Sequence, residues 1–79
     1  MRQMNRQKRE KLRMAMNNIT IAVDIIERTK DDESDCLDNM PENLQSSERY
    51  AAMENVIDHL EDALSSLEDA KADVEAAIG

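Results

Sequence analysis

The chain has 79 residues, and its 10 Lys and Arg against 18 Asp and Glu give a formal charge of −8 at pH 7. Charged residues make up 35% of it and aromatics 1%, Tyr50 alone, beside one Gly, one Pro, one His and one Cys. A single Cys36 excludes an intramolecular disulfide and a four-thiolate zinc centre, and a single Gly excludes a glycine-rich phosphate loop. One aromatic leaves no platform on which single-stranded bases could stack. No apolar run approaches the ~20 residues of a membrane span, and the charged start lacks the apolar stretch of a signal peptide. The expectation is a soluble, cytoplasmic, all-α domain without contact with membranes.

Charge is distributed unevenly. Residues 1–13 hold Arg2, Arg6, Lys8, Arg9, Lys11 and Arg13 against Glu10, a local +5, while the remainder carries −13. From Leu12 the apolar residues run Leu12, Met16, Ile19, Val23 and Ile26 in alternating steps of four and three, the period of a helical seam. Helix one is predicted over about residues 3–30, ending where the run Asp31-Asp32-Glu33-Ser34-Asp35 would meet the unfavourable end of the helix dipole.

An acidic turn region over residues 31–46 follows. Within it Asn39-Met40-Pro41-Glu42 reads as an N-cap, a first-turn proline and a Glu three residues after the cap. A short helical piece over residues 41–45 is therefore expected, with Leu37, Met40 and Leu44 folding back to close the end of a hairpin. Asp31, Glu33, Asp35, Leu37, Asn39 and Glu42 also fall at the liganding intervals of a calcium loop. Cys36 stands where that loop needs its glycine, so a solvated acidic turn is the stronger reading.

Helix two is predicted over about residues 47–78, with Ser46 or Ser47 as N-cap and Glu48 in the first turn. Tyr50, Met53, Ile57, Leu60, Leu64, Leu67, Lys71, Val74 and Ile78 keep the three–four spacing without a slip. A heptad is visible as Leu60-Glu-Asp-Ala, Leu67-Glu-Asp-Ala and Val74-Glu-Ala-Ala. Val56, Ala63, Ala70 and Ala77 flank this seam, as Ala15 and Ala22 flank the seam of helix one. Small residues at matched flanks let two helices approach closely, which points to an antiparallel, coiled-coil-like helical hairpin. Lys71 interrupts the seam; its stem is expected to lie along it with the ammonium near Glu10 or Glu75.

Helix one carries a second apolar stripe, Met14, Ile21 and Ile25, turned away from the seam; at 100° per residue Ile21 lies opposite Leu12. A helix with one partner needs a stripe only about 100° wide, and two helices of this size bury little. The expectation is a homo-oligomer, most simply a dimeric four-helix bundle with helix one at its centre and Met14, Ile21 and Ile25 at the interface. The hairpin seam comprises Leu12, Met16, Ile19, Val23, Ile26, Met53, Ile57, Leu60, Leu64, Leu67, Val74 and Ile78.

The basic start has two main readings, beside that of a disordered or partner-binding tail. Pairing Ile26 near residue 50 would set residues 2–13 beside residues 64–75, where Glu68, Asp69, Asp73 and Glu75 could neutralise them; exposed pairs are worth only ~0–1 kcal/mol each but select orientation. The weaker reading is an arm for nucleic acid or a nucleotide, with Arg6, Arg9 and Arg13 as anion contacts. Catalysis lacks parts. His59 sits at an outer heptad position without the Glu-x-x-His spacing of carboxylate-bridged metal sites, and the acidic surroundings of Cys36 do not favour a thiolate. The Asn18-Ile19-Thr20 sequon carries no meaning without secretion. No cofactor, metal or enzymatic activity is expected.

The stretch Asn39-Met-Pro-Glu-Asn-Leu-Gln-Ser-Ser-Glu-Arg-Tyr50, followed by Met53-Glu54 and the Leu-Glu-Asp-Ala heptads, resembles a group of small acidic helical proteins of Firmicutes phages and prophages that have no assigned biochemical role. The resemblance covers about residues 36–78 and implies a viral setting, hence the host cytoplasm, and no site residue. The expected function is a non-enzymatic helical protein that self-associates and binds a host or phage macromolecule. One alternative is a counter-defence inhibitor, presenting Glu54, Asp58, Glu61, Asp62, Asp69 and Glu75 as an acidic nucleic-acid mimic or sequestering a signalling nucleotide at its basic ends. The other is a DNA-binding accessory protein that uses the basic N-terminus.

Overall fold

The computed structural model describes residues 4–79 as two long helices joined by a tight connection. Helix α1 spans Arg6–Asp38, a 3-10 turn spans Glu42–Leu44, and α2 spans Glu48–Ile78. At ~1.5 Å per residue the helices measure about 50 and 47 Å. The longest dimension of the molecule is 61 Å and the others are 18 and 12 Å, so consecutive helices lie side by side and antiparallel. The described residues contain no strand. The all-α hairpin expected from the heptads is the observed architecture.

Each helix begins at a side-chain cap. The Asn5 Oδ1 accepts the Lys8 backbone N–H at 2.9 Å, satisfying one of the donors that an N-terminus leaves unpaired. Helix α1 thus starts at Arg6, with Met4 and Asn5 outside it; the expected start near residue 3 falls outside the described residues. Ser47 caps α2, its Oγ accepting the Tyr50 N–H at 3.2 Å and donating to the Leu44 carbonyl at 2.6 Å.

The end of α1 departs from the expectation. The helix does not stop at Lys30 but continues through the acidic run to Asp38. The same 3–4 spacing explains why: Lys30, Glu33, Leu37 and Met40 extend the seam, and all four are half-buried. Carboxylates near a helix C-terminus cost about 0.3–1 kcal/mol each when exposed, and salt screens them, whereas covering Leu37 and Met40 recovers comparable or larger energy. Asn39 closes α1 as its C-cap, with its N–H on the Asp35 carbonyl at 3.1 Å; it is not the N-cap of a following helix. Pro41 disfavours helical geometry at Met40 and opens the 3-10 turn, where Leu44 N–H reaches the Pro41 carbonyl at 2.9 Å.

This longer α1 changes the register. Asp38 and Glu48 mark the two ends of the connection, so Ile26 lies level with about Leu60, and Leu12 with about Val74, rather than Ile26 with residue 50. Every apolar position of the two heptads, from Leu12 to Ile26 and from Met53 to Ile78, is half-buried, as are Ala15, Ala22, Ala63 and Ala70. Those alanines fall level in pairs, Ala15 with about Ala70 and Ala22 with about Ala63, so the close-approach flank is shared by both helices. Val56 and Ala77, at the ends of the same flank, are exposed.

The middle of α1 is a poor helix former by itself. Between Ile19 and Ile26 only Ala22 and Asp24 are not β-branched, and such side chains lose rotamer freedom in a helix. Thr20 and Thr29 donate to the carbonyls of Met16 and Ile25 at 3.0 and 2.8 Å, one turn back. Packing along the seam therefore holds this stretch helical.

Candidate interaction surface

None of the described residues is buried, and the chain exposes 6321 Å². A compact monomer of its mass exposes about 4,800 Å². The excess, about 1,500 Å², exceeds the ~800 Å² that each partner contributes to a standard protein–protein interface.

Part of this surface is apolar and contiguous on α1. Met14, Ile21 and Ile25 are 67, 57 and 58% exposed, the largest such values among the big apolar side chains of the described residues. With Asn18 they repeat the seam's own spacing, four, three and four residues apart, on the side of α1 turned away from α2. Ala22 and Ala15 lie between this stripe and the seam, so small and apolar side chains continue from one to the other. Leu44 and Val56 are each 45% exposed, the former in the connection and the latter at the end of the alanine flank. Leu44, expected with Leu37 and Met40 to close the end of the hairpin, is thus exposed while those two are half-buried, and Val56, expected on the close-approach flank, stands outside it. The signal for Val56 is its place beyond the alanines, level with Lys30, where α1 has no small partner.

The basic end is arranged differently from the expectation. Residues 6–13 lie level with the last residues of α2 and extend past them, so Glu68 and Asp69 fall beside the middle of α1, and only Asp73 and Glu75 remain near the basic segment. Among the described residues the ion pairs are Arg6–Glu10 at 3.3 Å and Arg28–Asp24 at 3.2 Å, each one turn apart within α1. The internal acidic partner expected for this segment is therefore not made by direct ion pairs; Arg2 lies outside the described residues. Arg6, Arg9 and Arg13 share one face of α1, but their states differ. Arg6 is exposed and paired with Glu10, Arg13 is exposed, and Arg9 is half-buried at a seam position with its Nε enclosed and without a hydrogen-bond partner. Met4, Lys8, Lys11 and Leu12 border an open recess of about 280 Å³ at the same end.

The six carboxylates of α2, Glu54, Asp58, Glu61, Asp62, Asp69 and Glu75, are all exposed. Asp58, Asp62 and Asp69 lie on the arc of α2 opposite its seam while Glu54, Glu61 and Glu75 border the seam, and none forms an ion pair among the described residues. Lys71 is half-buried in the seam and likewise makes no ion pair with Glu10 or Glu75. His59 is exposed on α2 and Cys36 is exposed on α1. The residues at calcium-loop intervals lie mostly within α1, where a helical backbone cannot wrap an ion. Among the described residues no three His, Cys, Asp or Glu side chains gather as metal ligands, and no helix is long and apolar enough to cross a membrane.

Comparison with protein-family models, with curated proteins and with solved structures returns no match.

Proposed function

We propose that this chain is a non-enzymatic helical interaction protein that self-associates through the Met14, Ile21 and Ile25 face and, as an oligomer, binds a macromolecular partner. The observation that carries this reading is the pairing of a coreless hairpin with an exposed apolar stripe at helical spacing. Ile21 and Ile25 of the stripe lie on the least helix-prone stretch of α1, which a second contact would stabilise. Small domains gain the burial they lack by associating, and dimerisation with α1 at the centre supplies it. The phage setting implied by the resemblance of residues 36–78 supplies context for the partner, and the self-association does not depend on it. Native mass spectrometry of the protein purified gently from its producing host tests both parts. Multiples of 9.0 kDa carrying an additional mass are expected; a lone 9.0 kDa species at tens of micromolar would overturn the reading.

A second reading is favoured by the six exposed carboxylates of α2, which are free of ion pairs among the described residues. In it the acidic face occupies a basic nucleic-acid groove of a host protein, as a counter-defence inhibitor would. Long-range attraction to such a groove steers encounter. Asp58→Lys with Asp62→Lys should then release the bound mass, while Lys8→Glu with Arg13→Glu should retain it. The opposite pattern removes this reading.

A further inference from the structure

The partner covering the apolar face of α1 is, we infer, a second copy of this chain lying antiparallel to the first, with the two-fold axis level with Ile19 and Thr20, midway along the stripe. The inference rests on the self-association proposed above and assigns its geometry.

The argument is one of charge complementarity around an apolar centre. Along α1 the stripe of Met14, Asn18, Ile21 and Ile25 is central. On its N-terminal side, residues 6–13 carry Arg6, Lys8, Arg9, Lys11 and Arg13 against Glu10; on its C-terminal side, residues 31–38 carry Asp31, Asp32, Glu33, Asp35 and Asp38 with no basic residue. The helix is thus basic, apolar and acidic in order. An isologous dimer puts the same patch of both copies together. In the antiparallel arrangement Met14 of each copy lies level with Ile25 of the other, and Asn18 with Ile21. Residues 6–13 then lie level with about residues 26–33 of the second copy, where, with Lys30 and Glu33 turned into the seam with α2, the exposed Glu27, Asp31 and Asp32 outnumber Arg28. In a parallel arrangement every basic residue would face its own copy, as would every acidic one, and like charges in contact are penalised.

The register of the hairpin leaves the basic segment available for this. Only the first residues of α1 reach past the end of α2, but among the described residues the one ion pair of the basic segment joins Arg6 to Glu10 within the helix and none joins it to α2. Asn18, a polar residue inside the stripe, lies beside the axis in both copies, where a single polar position can fix one register against others.

Cys36 makes the geometry measurable, because it is the only cysteine and is exposed. A nitroxide label on Cys36 of the full chain would be carried at one end of each α1. Antiparallel copies place the two labels about 50 Å apart along the helix axes; parallel copies bring them within about 20 Å, the helix spacing plus the label arms. Pulsed dipolar spectroscopy at hundreds of micromolar should read the long distance. A short distance would overturn the antiparallel geometry while leaving self-association standing. An absence of dipolar coupling would overturn self-association and this inference with it. Charge exchange gives an independent reading. Lys8→Glu with Lys11→Glu should weaken association roughly tenfold, and adding Asp31→Lys, level with Lys8, together with Asp32→Lys in the same chain should restore it. Weakening without restoration contradicts the pairing of these two segments.

Discussion

Ile19 and Ile21 stand two residues apart on α1 and on opposite sides of it: Ile19 is half-buried against α2, whereas Ile21 is 57% exposed. The two side chains are chemically identical, so truncating them one at a time separates the hairpin's own stability from its association. Ile19→Ala should destabilise the hairpin by about 1–3 kcal/mol, below the full range for a buried isoleucine because the site is only half covered. Ile21→Ala should cost little in dilute solution and remove most of the concentration dependence of thermal unfolding. Unfolding followed by circular dichroism at several protein concentrations reads both.

The alanine flank predicts an asymmetry between chemically similar sites. Ala22→Leu and Ala63→Leu insert bulk where the helices approach through small residues and should each destabilise by about 1–3 kcal/mol. Ala77→Leu, on an exposed position of the same flank, should be within about 0.5 kcal/mol of the parent. Equal costs at all three positions in urea titrations would mean that the flank is not a close contact.

Helix α2 starts at Ser47 because its hydroxyl bonds both the Tyr50 N–H and the Leu44 carbonyl. Ser47→Ala should therefore cost about 0.5–2 kcal/mol, with an unchanged dependence on denaturant, while Ser46→Ala should be near neutral. Urea midpoints of the two variants decide between these neighbours.

The continuation of α1 through its acidic run is also testable. Glu33 occupies a half-buried seam position and Asp31 an exposed one. Glu33→Leu should stabilise the hairpin by about 0.5–1.5 kcal/mol through added apolar burial, and Asp31→Leu should not. Amide hydrogens of residues 33–38 should exchange slowly, as those of a packed helix do.

Much of this architecture is legible in the sequence because the seam spacing is a direct imprint of helix geometry. Leu60, Leu64 and Leu67 announce α2, and the flanking alanines announce its partner. The end of α1 is misplaced by sequence reasoning because five acidic and polar residues suggest a stop signal. The dipole penalty they carry is small beside the seam that Lys30, Glu33, Leu37 and Met40 continue. That one boundary propagates. Shortening α1 by eight residues shifts its register against α2, which puts Glu68 and Asp69 beside a basic segment that in fact lies level with the last turns of α2. The exposure of Met14, Ile21 and Ile25 is readable from the helical wheel. The half-buried state of Arg9 is not, because a long basic side chain at a seam position looks solvated until its stem is seen to lie along the apolar surface.

The most direct test of the central claim is sedimentation equilibrium on the parent chain, on Ile21→Glu and on Ala51→Glu, which adds the same charge at an exposed position of α2. The parent and Ala51→Glu should sediment as multiples of 9.0 kDa that dissociate on dilution, and Ile21→Glu as a single chain. A parent that stays at 9.0 kDa at high concentration, or an Ile21→Glu that associates as the parent does, would contradict the assignment of this face.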